Sequence, residues 1–545
     1  MWRQFLLNAA EFEMIRRLLM DTKAISARQN ILLFASIFVL AIIVRIVPAL
    51  AVQWISNDAV EYLDIARNLA SGRGLMLSIK AYHFIATPVV HYANYDRPLL
   101  FPALVALFWK LWPHAQTAQV LNVLLVALGA GMAAEMARRV YGLRAAWISG
   151  VLLAVAPPLV RTSLYAWSEP LAFALVMGSV SYILHENKKG VFMAGVLAGL
   201  AFLTRPTMAI YGFVLFAWLA RHRRIDRAKS ALLFLAGILP SLLILATINF
   251  IYHAPLATTA QGFLYRAVDF HDGMYYFPPR MQSSAITLLI LHFHDVLLQI
   301  FRHVRDYGLH LLFHRDFLSF LCLLIPIVIW KFFTQERSAG GNLIFLLAGG
   351  GLLFICLSWP SSDLDRFLQI PSAFFIIRIV GEANGVHPFR RIIRGALYLL
   401  AAITFFSYVF TDLRITHDAL RVRSNAQWPM MGTFSSNWKN PDSPALFQWI
   451  EANTGSDAVI GGNNPWAIAW HTNRPAILIP EFARSTDAQA FFHTYKVDYI
   501  IANEKYPSPV RNYESENKKY YKNKIAQIGS YEIYKRRSGA SAFKD

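Results

Sequence analysis

Cysteine is nearly absent. The chain has 545 residues and two cysteines, Cys322 and Cys356, each inside an apolar run. That excludes a disulfide framework, and both thiols read as small packing hydrophobes. Charge is also scarce, at 16% of residues against 56% hydrophobic, and it falls in clusters between long apolar stretches. A soluble chain is excluded and a polytopic membrane protein is implied. Acidic residues are the rarer sign, 33 against 52 Lys and Arg, for a formal charge of +19. An excess of that size can mark nucleic-acid binding. Here the cations sit in short segments between apolar runs, the pattern of cytoplasmic loops beside anionic lipid, so no nucleic-acid partner is expected. There is no internal repeat and no low-complexity tract. A cleavable signal peptide is not expected, because the first residues are charged and mixed and the first apolar run is long enough to span.

What is present divides the chain. Residues 1–30, with Arg3, Arg16, Arg17, Lys23 and Arg28, read as a basic amphipathic helix on the cytoplasmic face. The first span is expected over Ile31 to Val52, interrupted by Arg45 and Pro48. Leu99 to Trp112 is apolar but short for a span, so it is assigned to the outer interface. The following runs, 117–137, 145–160, 166–184, 191–203, 208–220 and 230–250, then alternate so that Arg138, Arg139, Arg144, Lys188, Lys189, Arg221, Arg223, Arg224 and Arg227 all face inward. A second outer loop covers 252–316, with 285–301 read as interfacial. Runs 317–333, 343–359, 367–380 and 393–410 complete about eleven spans. The resulting layout is an N-terminal segment 1–30, a membrane domain 31–411 with external loops 53–116 and 252–316, and a small α/β domain 412–545 on the outer side. In that last part helical patterns alternate with short apolar runs at 458–460, 476–479 and 497–502.

The stretch from Trp54 to Gly74 turns abruptly polar after the first span. Asn57 is placed to cap a helix with Asp58 and Glu61 in its first turn, and Gly72 and Gly74 to end it. Alone, the stretch reads either as a solvated amphipathic helix or as a chemical site. The topology adds a second observation. Asp58, Asp96, Arg97, Glu169, Arg205, Asp363, Asp365 and Arg366 all fall at outer span ends or in outer loops. Singly each is an ordinary headgroup-level charge or cap. Together they describe a face that binds an anion and moves a proton.

The order of motifs resembles a family. An acidic helix follows the first span, then come Tyr95-Asp96-Arg97-Pro98, Ser168-Glu169-Pro170 opening a span, Thr204-Arg205-Pro206 closing an apolar hairpin, and Asp365-Arg366-Phe367 before a late span. This resembles the GT-C glycosyltransferases that use polyprenyl-phosphate sugars, in particular the bacterial protein mannosyltransferase and lipid A aminoarabinose transferase branch. The likeness covers roughly Ile31 to Val380 and is most specific from Asp58 to Pro102. One departure is that the branch has a basic residue followed by two prolines, where this chain has Arg97-Pro98-Leu99. The resemblance implies a polytopic helical membrane protein of GT-C type and sugar transfer to an acceptor hydroxyl at the outer face of a bacterial cytoplasmic membrane. It further implies a polyprenyl-phosphate donor, with a lipid, glycan or protein as acceptor. Asp58 matches the family's catalytic acid, Glu169 a second acid, and Arg97 a phosphate-neutralising base. Arg205 and Arg366 are expected to share the phosphate, because a guanidinium binds two phosphate oxygens at once. Glu61, Tyr62, Tyr95 and Asp96 are expected to position substrate.

No cofactor is assigned. Asp363-x-Asp365 and the pair His310 and His314 after Asp306 are weak metal patterns, the first equally an ion pair with Arg366 and the second a wet helix face. Tyr275, Tyr276, Phe277, Trp428 and Trp438 suit sugar stacking or a membrane interface. A lipid-linked sugar flippase or polymerase shares the basic inner loops but does not require the acidic first loop. A solute transporter places its ionisable groups near the midplane rather than at one end.

Overall fold

The computed structural model describes residues 27–52, 56–81, 87–114, 116–185, 187–222, 227–254, 276–277, 290, 293–326, 329, 339–358, 364–384, 390–425, 442–482, 485–503 and 524–536. The expected N-terminal amphipathic segment to residue 26 lies outside them, as does most of the second external loop.

Helix α1 (Ala27–Ala51) is the first span. Its fully buried Arg45 reaches carbonyls with its terminal nitrogens: it donates to Ala41 O at 2.9 Å, to Leu153 O at 3.3 Å and to Ala154 O. Those last two carbonyls end α5, so the cation sits at the negative end of a helix. Next come α2 (Asn57–Ala70) and α3 (Leu100–Trp109). At ten residues α3 is only about 15 Å long and cannot cross a bilayer. Helix α4 (Gln116–Tyr141) is a long apolar helix buried among α1 and its successors. The run expected as one span over 145–160 is broken into α5 (Leu143–Ala154) and α6 (Pro157–Leu164), bent by 44°. Pro157 disfavours α geometry at Ala156, which is extended, and supplies no backbone N–H, so the helix breaks there and restarts with Pro157 at its first position.

Helices α7 (Glu169–Ile183), α8 (Lys188–Thr204), α9 (Ala209–His222) and α10 (Arg227–Ile251) follow at the expected places. Gly195 of α8 and Gly237 of α10 let these two backbones touch, the small-residue contact favoured between helices in lipid. Beyond them lie α11 (Phe293–Phe313), α12 (Ala339–Ser358), the short α13 (Leu364–Phe367), α14 (Gln369–Asn384) and α15 (Arg390–Asn425). Of the run expected over 317–333, the described residues hold a 3₁₀ helix at Ser319–Leu324 followed by α-helical residues at 325–326 and 329. Among the described residues four helices are long and apolar enough to cross a membrane, or five if the bent pair is one span. Among the described residues, apolar helices such as α3 and α7 are shorter. Ile31, Ile43, Leu232, Phe250 and Phe406 are exposed on the long helices, as lipid-facing side chains would be.

The expected domain boundary at 412 falls inside α15, which runs on to Asn425. After it come α16 (Ser443–Asn453), α17 (Pro465–Thr472) and α18 (Ser485–Tyr495). Ten short strands are numbered in chain order: β1 (Met76–Leu77), β2 (Ile79–Lys80), β3 (His91–Tyr92), β4 (Tyr276–Phe277), β5 (Ile460–Gly462), β6 (Ala476–Leu478), β7 (Glu481–Phe482), β8 (Tyr499–Asn503), β9 (Ala526–Ile528) and β10 (Tyr531–Lys535). A six-stranded sheet has the order β2-β6-β5-β8-β10-β9. Its first four strands are parallel neighbours and its last three antiparallel. The edge strand β2 comes from the loop after α2, with Ile79 opposite Ala476 and Lys80 opposite Ile477. The C-terminal α/β unit is therefore built into the loop that carries the acidic helix, and one apolar cluster holds Val60, Leu63, Phe101, Ile450, Ile468 and Ile533 together.

Candidate active site

Helix α2 is organised by its caps and by burial. Its N-cap is Ser56, one residue before the expected Asn57. The Ser56 hydroxyl accepts from Ala59 N at 3.3 Å and from the Trp167 indole. The helix ends at Ala70, and Gly72 and Gly74 follow with φ of +82° and +83°, the left-handed conformation that suits glycine. Ala59 through Ala66 are all buried, which rules out a solvated surface helix. The helix presents acids in two directions. Asp64 faces the β1–β2 corner, where it accepts from Ser78 N at 2.7 Å and pairs with Arg67 at 2.7 Å. Asp58 and Glu61 face the membrane domain.

There they enter a chain in which carboxylates and arginines alternate. Glu61 pairs with Arg97, Arg97 with Asp58, Asp58 with Arg366 at 2.5 Å, Arg366 with Glu169, and Glu169 with Arg205 at 2.7 Å. Three acids meet three arginines, so the chain is formally neutral. The six residues come from five parts of the fold: α2, which gives both Asp58 and Glu61, the turn before α3, α13, the first position of α7 and the turn after α8. Aromatic faces fix the guanidinium planes. Arg366 lies 4.4 Å from the Trp167 ring, Arg205 5.4 Å from Phe367 and Arg97 5.8 Å from Tyr62. The Ser168 hydroxyl joins the Tyr62 hydroxyl at 3.1 Å and accepts from Arg205 at 3.2 Å.

Exposure separates the carboxylates. The Asp58 side chain is 20% exposed, whereas those of Glu61 and Glu169 are 1% and 4% exposed. Burial, with the Asp58 charge beside it, raises the Glu61 carboxyl above the ordinary carboxylate range against the pull of Arg97 and Trp466. Both Glu61 oxygens are engaged, one by Arg97 and the other by the Trp466 indole at 2.6 Å. Glu169 Oε2 is buried and has no hydrogen-bond partner among the described residues.

Of the predicted residues, Asp58, Glu61, Tyr62, Arg97, Glu169, Arg205 and Arg366 converge. Tyr95 and Asp96 do not join them. Tyr95 packs edge-on against Tyr92, and Asp96 turns back to His91 Nε2 at 2.7 Å. Burial alone would raise the Asp96 carboxyl, but His91, Lys80 and Arg97 together hold it below its usual value. Lys80 is buried too and donates to Thr87 at 2.6 Å; burial pushes it down to about 8, partly offset by Asp96. Asp363, Tyr275, Trp428 and Trp438 lie outside the described residues, and nothing is described of the Asp365, Tyr276 or Phe277 side chains. His310 and His314 stack at 4.3 Å. Among the described residues no group of three or more His, Cys, Asp or Glu is placed to hold a metal. Trp466 and Trp167 were missed as site residues.

Known structures share this architecture. ArnT from Cupriavidus metallidurans bound to undecaprenyl phosphate matches with a TM-score of 0.56 at 12% identity, over 95% of this chain and 100% of that one. The archaeal oligosaccharyltransferase AglB from Archaeoglobus fulgidus, in complex with an inhibitory peptide and a dolichol-phosphate, matches at 0.57 and 12% identity, over 94% and 74%. The mycobacterial arabinofuranosyltransferase AftD matches at 0.51 and 13% identity, over 95% and 42%. All three are GT-C glycosyltransferases.

The chain has the GT-C fold.

In sequence, residues 96–251 match the family model for dolichyl-phosphate-mannose-protein mannosyltransferase. That GT-C segment contains Arg97, Glu169 and Arg205 but neither Asp58 nor Arg366. No curated protein sequence matches.

Proposed function

We propose that the protein transfers a sugar from a polyprenyl-phosphate-linked donor to the hydroxyl of a lipid, glycan or protein acceptor, with inversion at the anomeric carbon. The observation that carries this reading is the alternating chain of acids and arginines, in which Asp58 is the most exposed carboxylate and is flanked by two arginines. In this resting arrangement Asp58 occupies the guanidinium groups that a phosphate would take. An arriving phosphodiester competes for Arg97 and Arg366 and frees the Asp58 carboxylate to act as a base.

The step then balances simply. Asp58 takes the proton of the acceptor hydroxyl, and the hydroxyl oxygen attacks the anomeric carbon from the side opposite the phosphate. The bond from that carbon to the phosphate oxygen breaks, and polyprenyl phosphate leaves with its new charge held by Arg97, Arg205 and Arg366. Held close to low-dielectric surroundings, these charges act more strongly than in water. Glu169 is the positioning partner, since it is bonded to two of the three arginines. No metal is assigned a role.

The same reading places the site at the outer face of a bacterial cytoplasmic membrane, with α2 and the C-terminal unit toward the periplasm and about eleven crossings in all. The support is the inward placement of the basic loops under that topology. The polyprenyl phosphates bound in the ArnT and AglB structures support the donor class. The test is to incubate the purified protein with a panel of polyprenyl-phosphate sugars and an acceptor extract. Release of free polyprenyl phosphate and a product of inverted anomeric configuration by NMR are expected. A retained configuration would remove the single-displacement mechanism.

A further inference from the structure

We propose that the C-terminal α/β unit is a working part of the site and that Trp466 is its positioning residue, holding Glu61 so that Glu61 in turn aims Arg97. The inference rests on Arg97 being a donor-phosphate ligand, as argued above.

Three connections tie the C-terminal unit to the acidic helix. The Trp466 indole donates to Glu61 Oε1 at 2.6 Å. Arg67 donates to the carbonyls of Ala469 at 3.2 Å and Trp470 at 3.4 Å, with its guanidinium 5.6 Å from the Trp470 ring. Strand β2, from the loop after α2, pairs with β6. The first two reach α17 and the third the strand after it. The unit therefore grips α2 at both Glu61 and Arg67. Trp466 and Glu61 are both buried, so water does not substitute for the indole N–H.

The chemistry makes this bond more than packing. Glu61 lies in a low-dielectric place and receives a donor on each oxygen. The charged groups acting on it are Arg97, which favours its ionised form, and Asp58, which opposes it. Arg97 is shared between Glu61 and Asp58. Without the indole, one Glu61 oxygen is buried unpaired and the carboxyl takes a proton more readily. A neutral Glu61 no longer anchors Arg97, which then swings toward Asp58 alone. The guanidinium meant for phosphate loses its fixed direction.

The test uses the full-length protein with Trp466→Phe, which keeps a ring but not the donor. Trp470→Phe on the same helix is the packing control, since Trp470 meets Trp109 and Arg67. Glu61→Gln removes the titrating group. Binding of unglycosylated polyprenyl phosphate is measured against pH. Trp466→Phe is expected to move the acidic limb of binding upward by about half a pH unit to one unit. Trp470→Phe should leave the limb in place, and in the Glu61→Gln background Trp466→Phe should produce no shift. Equal shifts from the two tryptophan variants, or a shift that survives Glu61→Gln, would overturn the proposal. If the wild type binds no polyprenyl phosphate, the reading of the site itself fails. The Trp466–Glu61 coupling is still decided by unfolding. Trp466→Phe should destabilise more at neutral pH than at acid pH, and Glu61→Gln should erase that difference. A pH-independent loss overturns it.

Discussion

Arg366 is the arginine on which the site's two assigned acids meet, so its removal gives a sharp prediction. Its Nη1 pairs with Asp58 at 2.5 Å and its Nε with Glu169, and its side chain is 7% exposed. Replacement by Met fills much of the volume but leaves both carboxylates short of a partner. Breaking a buried ion pair costs about 3–5 kcal/mol. Asp58 keeps Arg97 and Glu169 keeps Arg205, which puts the expected loss at the low end, about 3 kcal/mol. Arg366→Lys keeps the charge but reaches only one carboxylate at a time, and it loses the flat contact with Trp167. One charge-assisted hydrogen bond lost corresponds to about 2 kcal/mol. The assay is unfolding in mixed micelles by denaturing detergent, with the order wild type, Lys, Met. Glu169→Gln added to Arg366→Met should recover about 1 kcal/mol, because it neutralises a carboxylate that the first change left short. An Arg366→Met protein as stable as wild type, or strict additivity with Glu169→Gln, would refute the picture of one coupled chain of charges.

Two further outcomes follow from other parts of the molecule. His471 ends α17, stacked 4.6 Å from Phe447, and burial lowers its pKa to about 4. The folded state refuses a proton that the unfolded chain accepts from about pH 6.5 downward. Stability is therefore lost as pH falls from 6.5 to about 4, by at most about 3 kcal/mol; melting curves of His471→Phe should be flatter across that window, and an unchanged slope would count against it. Gly195→Ala should cost about 1–3 kcal/mol, because its new methyl group meets the backbone of α10 at Phe234 and Gly237. Gly349→Ala on α12, where a Cβ meets nothing within 4 Å, should be neutral or slightly stabilising, and equal losses from the two would contradict the helix contact.

The membership of this cluster of charges was largely legible because ionisable residues are rare in this chain, and those at the ends of apolar runs stand out. Asp58, Glu61, Arg97, Glu169, Arg205 and Arg366 were all visible for that reason. Their pairing was not, since it depends on how five separated segments meet. Asp96 shows the limit. It adjoins Arg97 in sequence, yet the 3₁₀ turn at Ala93–Tyr95 sends it to His91 instead. Trp466 was illegible for a different reason. Its role arises from contacts across about four hundred residues, and locally Asn464-Pro465-Trp466 is merely a helix start. The helices were placed well where apolar runs were long. The break at Pro157-Pro158 was readable from the prolines but hidden by the apolar run around them. The end of α15 was misplaced because the helix continues through the polar stretch after Thr411.

The central claim is that Asp58 is the base in transfer from a lipid-linked sugar phosphate. Its most direct test compares wild type with Asp58→Asn on the same panel of polyprenyl-phosphate sugars, measuring donor binding and turnover side by side. The account predicts that wild type releases polyprenyl phosphate, and that Asp58→Asn still binds donor but turns over at least about a hundredfold more slowly. Turnover by Asp58→Asn equal to wild type would contradict the assignment of the base, and failure of the wild type to bind any such donor would contradict the reaction.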